Sequence, residues 1–247
     1  MPSTSSSSDA SSLTVVLVHG AFADASGWVG VIERLQAAGV RAVAPANPLR
    51  GISIDSSYVA SVIEQVRGPV LAVGHSYGGA VISNAATDCN NVVGLVFVAG
   101  FAPDEGERLA EVETTSKDSV LNSALVPMQY PTGPDAATAV EFVINPANFH
   151  DAFAADLSPK EAALMAATQR PVAESAFSEA SGKPAWKKLP TWAVVGTGDK
   201  AAGADVIRSM AKRAGAVITE AEGSHVIMMS QPQIVVDVIL KAIAEVG

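Results

Sequence analysis

Short runs of apolar, β-branched residues alternate along this chain with longer stretches whose apolar positions recur at helical spacing. Residues 14–18, 40–44, 70–73, 92–98, 191–195 and 216–219 read as strands. Between the first two, residues 27–38 bring Trp28, Val31, Ile32 and Leu35 onto one helical face and stop at Gly39. Helices are also predicted over 54–67, from the end of the third strand to about residue 86, and over 205–214 and 231–246. The strand runs are apolar throughout rather than alternating, as expected of strands covered on both faces. The pattern therefore predicts an α/β fold, a mostly parallel sheet covered by helices.

From 104 to about 188 the strand runs disappear. The chain becomes polar, alanine-rich and punctuated by proline, with helical segments such as 158–168. Neither flank would complete a sheet alone, so the expectation is one domain over 13–247 with an inserted helical lid. There is no internal repeat.

Composition narrows the function classes. A length of 247 residues with 49% hydrophobic and 17% charged residues suits one large buried core. A net charge of −9 argues against nucleic acid and anionic membrane surfaces as partners, because both attract basic patches. Cys89 is the only cysteine, so neither an internal disulfide nor a thiolate metal cluster is expected. Residues 1–12 are serine-rich without a basic start or an apolar core; they read as a disordered leader rather than a signal peptide. With no long apolar stretch to span a bilayer, a cytoplasmic location is the default expectation.

The chemistry lies in Gly74-His75-Ser76-Tyr77-Gly78, between the apolar run Val70-Leu71-Ala72-Val73 and the helix-compatible Gly79-Ala80-Val81-Ile82. Strand, G-x-S-x-G turn and helix in that order make a nucleophile elbow, in which a sharp turn lifts the serine hydroxyl clear of the sheet. Flanking glycines let strand and helix pass closely, and the helix N-terminus faces the charge that serine attack creates. The plainer reading is a glycine-rich turn with an incidental serine.

A serine nucleophile needs a base, and the base an orienting acid. Of the four histidines, His75 adjoins Ser76 and should point away from it, and His19 should brace the loop after the first strand. His225, in the loop after the last strand, reaches the same sheet edge as the elbow and is the favoured base, with His150 in reserve. Asp199 follows the strand 191–195 in the turn Gly196-Thr197-Gly198-Asp199 and is the favoured acid over Asp104. For the oxyanion hole the backbone N–H of Tyr77 and that of Ala21 are chosen, with Phe22 the near alternative to Ala21. Gly20 should let the backbone turn inward there. The segment 196–201 also fits a dinucleotide-binding pattern, but too little chain follows it for such a domain. No metal or nucleotide motif is present, and no cofactor is expected.

With these residues in place the chain resembles the α/β-hydrolases. Val18-His19-Gly20-Ala21, followed by Trp28, Leu35 and Gly39, is most similar to the plant methylesterase and hydroxynitrile lyase group. The resemblance covers nearly everything after residue 12 and implies Ser76, Asp199 and His225 as a triad, with the Ala21 and Tyr77 amides as oxyanion hole. Hydroxynitrile lyases of that group carry lysine after the catalytic histidine and threonine after the first-strand histidine; here these are Val226 and Gly20. The aspartate nucleophile of similar dehalogenases and epoxide hydrolases is replaced by Ser76. A serine carboxylesterase acting on small apolar or aromatic esters is the resulting expectation. Its alternatives are a lyase or cofactor-free oxygenase on the same scaffold, or a small-molecule receptor using the cavity as a ligand cup. Tyr130, Phe142, Phe149, Phe153, Phe177 and Trp186 are candidates for lining the cavity, or simply lid core.

Overall fold

A computed structural model describes residues 13–135 and 137–247. The leader expected over 1–12 lies outside the described residues. Six strands, β1 (Thr14–Val18), β2 (Arg41–Val43), β3 (Val70–His75), β4 (Val92–Val98), β8 (Thr191–Gly196) and β9 (Val217–Ala221), form one sheet in the order β2-β1-β3-β4-β8-β9. Every neighbouring pair is parallel. Parallel strands need crossovers, and helices supply them: α1 (Val29–Ala37), α2 (Ile52–Glu64), α3 (Tyr77–Ala85) and, between β8 and β9, the helix Ala204–Arg213; a last helix, Pro232–Val246, follows β9. α1 packs with the last helix and α2 with α3, giving two helical layers around the sheet.

This explains the unbroken apolar strands. Val15, Val16, Leu17 and Val18 are all fully buried, so successive side chains on both faces of β1 leave water. Each such side chain contributes about 1.5–3 kcal/mol of burial.

From β1 the chain runs outward to β2, then returns past β1 to β3. The strand order therefore reverses between β1 and β3, and α/β folds bind ligands beyond the carboxyl ends of strands at such a point. The loop from His19 and the elbow at Ser76 both begin there.

The inserted region departs from the expectation of a purely helical lid. It contains helices, including α4 (Leu109–Glu113), Pro146–Phe153 and Pro159–Thr168. It also holds a three-stranded antiparallel sheet, β5 (Leu125–Pro131), β6 (Thr138–Ile144) and β7 (Val172–Ala173), in that order. Pro127 and Pro131 look like strand breakers, but β5 is an edge strand, where a missing N–H costs no ladder bond. The lid is tied to the core through Arg50–Glu141 at 2.9 Å and through an Arg170 N–H donated to the Asn47 carbonyl at 2.8 Å.

Candidate active site

Ser76 sits between β3 and α3 with φ 52° and ψ −125°, a conformation that L side chains rarely adopt. Backbone bonds hold it there. Its N–H donates to Val98, and its carbonyl accepts from Gly79 and Phe101. The glycines permit the turn through space rather than rotation. A Cβ at Gly78 would lie 2.4 Å from the Val18 carbonyl oxygen, and one at Gly74 would lie 2.5 Å from that of Gly78. Gly78→Ala must therefore push α3 off β1. It is expected to cost about 3 kcal/mol, the upper end of overpacking penalties, lowering the melting temperature by roughly 10 °C. Gly133→Ala, where the new methyl meets nothing within 4 Å, should melt like the parent. Equal melting of the two variants would refute this packing account.

The expected role of Gly20 needs correction. Its φ is not in the left-handed region; the positive φ in this loop, 60°, belongs to Phe22. Gly20 is needed because a Cβ there would stand 2.6 Å from the Ser76 Cβ. Among the described residues the N–H groups of Ala21, Phe22 and Tyr77 make no backbone hydrogen bond. All three are therefore left as available donors at this edge of the sheet.

His225 Nδ1 lies 2.8 Å from Asp199 Oδ2, with both side chains almost completely buried. The other Asp199 oxygen, Oδ1, accepts from the Ala201 and Ala202 N–H groups at 2.9 and 3.1 Å. With Nδ1 occupied, Nε2 is the ring nitrogen left to accept a proton. The turns carrying the pair are laced together: Gly198 N–H donates to the Gly223 carbonyl, and Thr197 N–H to that of Ala221. Ser76 and His225 line one narrow cavity with about 10 Å3 of open space, closed down around the pair.

The other candidates fall elsewhere. Asp104 pairs with Lys187 at the surface, and that contact holds its carboxyl below the usual range. His150, in the lid, meets the Leu157 carbonyl at 3.0 Å. His19 braces the first loop as expected. Its Nδ1 donates to the Gly20 carbonyl and its Nε2 accepts from the Asn47 N–H. Burial pushes its pKa down to about 4, so it stays neutral. His75 is turned away from the hydroxyl and donates from Nε2 to the His225 carbonyl at 2.9 Å. Burial, reinforced by the His225 ring 4.7 Å away, holds His75 well below the ordinary histidine range. It is thus a neutral strut under His225.

Four features were missed from sequence. Asp156, in the lid, accepts from the Ser224 N–H at 2.8 Å, from the Ser230 hydroxyl at 2.6 Å and from the Ser224 hydroxyl, clamping the segment on both sides of His225. Tyr77 donates its phenol to Asp55 at 2.7 Å, fixing the first turn of α3 to α2. Phe22, Phe101 and Leu121 join Phe153 and Phe177 in lining the cavity. Glu113 lines it too. Of the lid aromatics proposed, Phe149 backs Phe153 with ring centroids 5.1 Å apart, while Trp186 bonds the Pro103 carbonyl and Tyr130 lies beneath Arg50.

Among the described residues no group of three or more potential metal ligands occurs, and no helix is long and apolar enough to cross a membrane. A parallel sheet with a serine elbow, a strand-end acid and a loop histidine defines a class. The chain belongs to the alpha/beta hydrolase family, whose profile matches residues 15–238. Solved structures similar to it include polyneuridine aldehyde esterase, 19% identical, covering 94% of this chain and 99% of that one, with a TM-score of 0.79. Tomato methylketone synthase I in complex with 2-tridecanone is 20% identical over 96% and 99%, with a TM-score of 0.78. A pyrethroid hydrolase is 18% identical over 94% and 98%, with a TM-score of 0.77. No curated protein matches the chain.

Proposed function

We propose that this hydrolase is a serine carboxylesterase acting on small apolar or aromatic esters. One observation carries the reading: Ser76, on its strained elbow, shares a cavity with a histidine whose far nitrogen is held by a buried aspartate. Ser76 Oγ attacks the ester carbonyl while His225 Nε2 takes its proton. Asp199 holds the imidazole in the required tautomer and stabilises the imidazolium. The Tyr77 N–H, with that of Ala21 or Phe22, receives the oxyanion. His225 then protonates the departing alcohol, leaving an acyl-Ser76. Water, deprotonated by the same histidine, releases the acid. The apolar lining of Phe22, Phe101, Leu121, Phe153 and Phe177 favours an apolar acyl or alcohol part.

Cyanohydrin cleavage is disfavoured. Val226, fully buried, supplies no cation for departing cyanide, and Gly20 has no hydroxyl to bond the substrate. A preorganised charge partner is worth on the order of 10²–10³ in rate. Aryl acetates should therefore be hydrolysed with saturation and inhibited by serine-directed organophosphates, while mandelonitrile should decompose no faster than in buffer at matched pH. Enzyme-dependent cyanide release that Ser76→Ala abolishes would replace the esterase by a lyase. Tight binding of small ligands with failure on every ester would replace it by a receptor.

A further inference from the structure

Among the residues lining the cavity only Ser76, His225 and Glu113 have polar side chains, and hydrolysis as described uses the first two. Glu113 is the last residue of α4, in the lid, and is 5% exposed. Its Oε1 is buried without a hydrogen-bond partner among the described residues, and no cation pairs with it there. α4 does not need it for anchoring, because Leu109 at the helix start is already fully buried. Burial, with the Asp199 carboxylate adding to it, pushes the Glu113 carboxyl up to about 8, so near neutrality it is mostly protonated. A protonated carboxyl has one O–H to donate and a carbonyl oxygen to accept. Folding alone gives no reason to keep such a group unpaired in an otherwise apolar wall, since buried polar groups without partners are destabilising.

We propose that Glu113 is a substrate-recognition residue that reads a neutral hydroxyl group carried by the ester away from its reacting carbonyl. The chemistry selects this class. A hydroxyl both donates and accepts, matching an uncharged carboxyl on both counts. An ammonium substituent would call for an ionised Glu113, and a carboxylate substituent would bring a second anion into the cavity beside Asp199. An ester with only hydrocarbon at that point leaves the Glu113 carboxyl unpaired, and sites built to bond a substrate hydroxyl discriminate against analogues lacking it. This inference deepens the esterase reading and rests on it for the word substrate, but recognition can be measured without turnover.

The test uses binding to the full-length Ser76→Ala protein, followed by calorimetry. The ligands are methyl phenylacetate, its 2-, 3- and 4-hydroxy isomers and the 4-aminomethyl analogue. At least one hydroxy isomer should bind about ten-fold more tightly than methyl phenylacetate, the size of one well-made buried hydrogen bond. Adding Glu113→Leu should bring that ratio within about two-fold, and adding Glu113→Gln, which keeps a donor and an acceptor, should retain most of it. Removing an unpaired buried carboxyl should leave the leucine variant melting at or above its parent; Glu113→Met serves as the apolar replacement if branching at leucine disturbs packing. Equal binding of all hydroxy isomers and the unsubstituted ester overturns the proposal. So does a preference that survives both apolar variants, or tightest binding by the aminomethyl analogue with loss in Glu113→Gln. Turnover of methyl phenylacetate by the unsubstituted protein reports on the esterase reading alone. Binding preference without hydrolysis of any ester, aryl acetates included, sinks that reading and leaves the Glu113 contact standing; hydrolysis without preference does the reverse.

Discussion

Ser76→Ala is expected to lower kcat/KM for aryl acetates by about 10⁴-fold or more while leaving the fold intact, because loss of a triad member leaves only oxyanion-hole and binding contributions. The substitution removes one oxygen and nothing else. The bonds that shape the elbow, from Gly79 and Phe101 to the residue-76 carbonyl and from the residue-76 N–H to Val98, are all backbone and persist. Alanine also keeps the Cβ that makes this φ costly, so melting temperature should barely move. The Ala21, Phe22 and Tyr77 N–H groups remain, and residual hydrolysis above buffer should persist at the level they sustain. A folded variant with near-normal turnover would remove Ser76 from the reaction.

Asp199→Asn should lower kcat by roughly 10³–10⁴-fold through the histidine tautomer. Asp199 Oδ1 is held by two backbone donors, Ala201 N–H and Ala202 N–H. In the variant those donors demand the amide oxygen, which turns the amide nitrogen toward His225 Nδ1. That nitrogen must then accept, so the ring proton moves to Nε2, the atom needed to take the proton from Ser76. Asp104→Asn, on a surface carboxylate that pairs with Lys187 and does not line the cavity, should change turnover by about two-fold or less. Steady-state kinetics on the two variants side by side decides the assignment. The reverse order of effects would place the acid at the end of β4.

The contrast between these aspartates shows what sequence could and could not reveal. The position of Asp199 beside His225 could be read because it closes a strand-end turn, and parallel strands deliver such turns to one edge. The placement of Ser76 and His225 at that edge could be read for the same reason. The central sheet could be read because strands covered on both faces are apolar without interruption. The lid sheet could not: β5 carries Pro127 and Pro131, which act as breakers in any strand except one at an edge, and edge position depends on partners distant in sequence. Glu113 was hidden for a related reason. In Leu109-Ala110-Glu111-Val112-Glu113 the two glutamates look alike, yet one is buried in the cavity wall and the other exposed. Only the packing of the lid over the sheet distinguishes them. Asp156 likewise acts across a long stretch of chain, on Ser224 and Ser230, and no local pattern marks it.

The left-handed backbone at Ser76 sets stability against chemistry at a single residue. Glycine would adopt that φ without strain, whereas a side chain there costs on the order of 1–3 kcal/mol. The hydroxyl proposed to react is thus carried by a residue type the backbone would rather exclude, and the hydrogen bonds to β4 and from the following loop are what compel the chain to accept it. Thermal robustness and turnover are in opposition at this position, and the surrounding sheet has to be rigid enough to hold the disfavoured state.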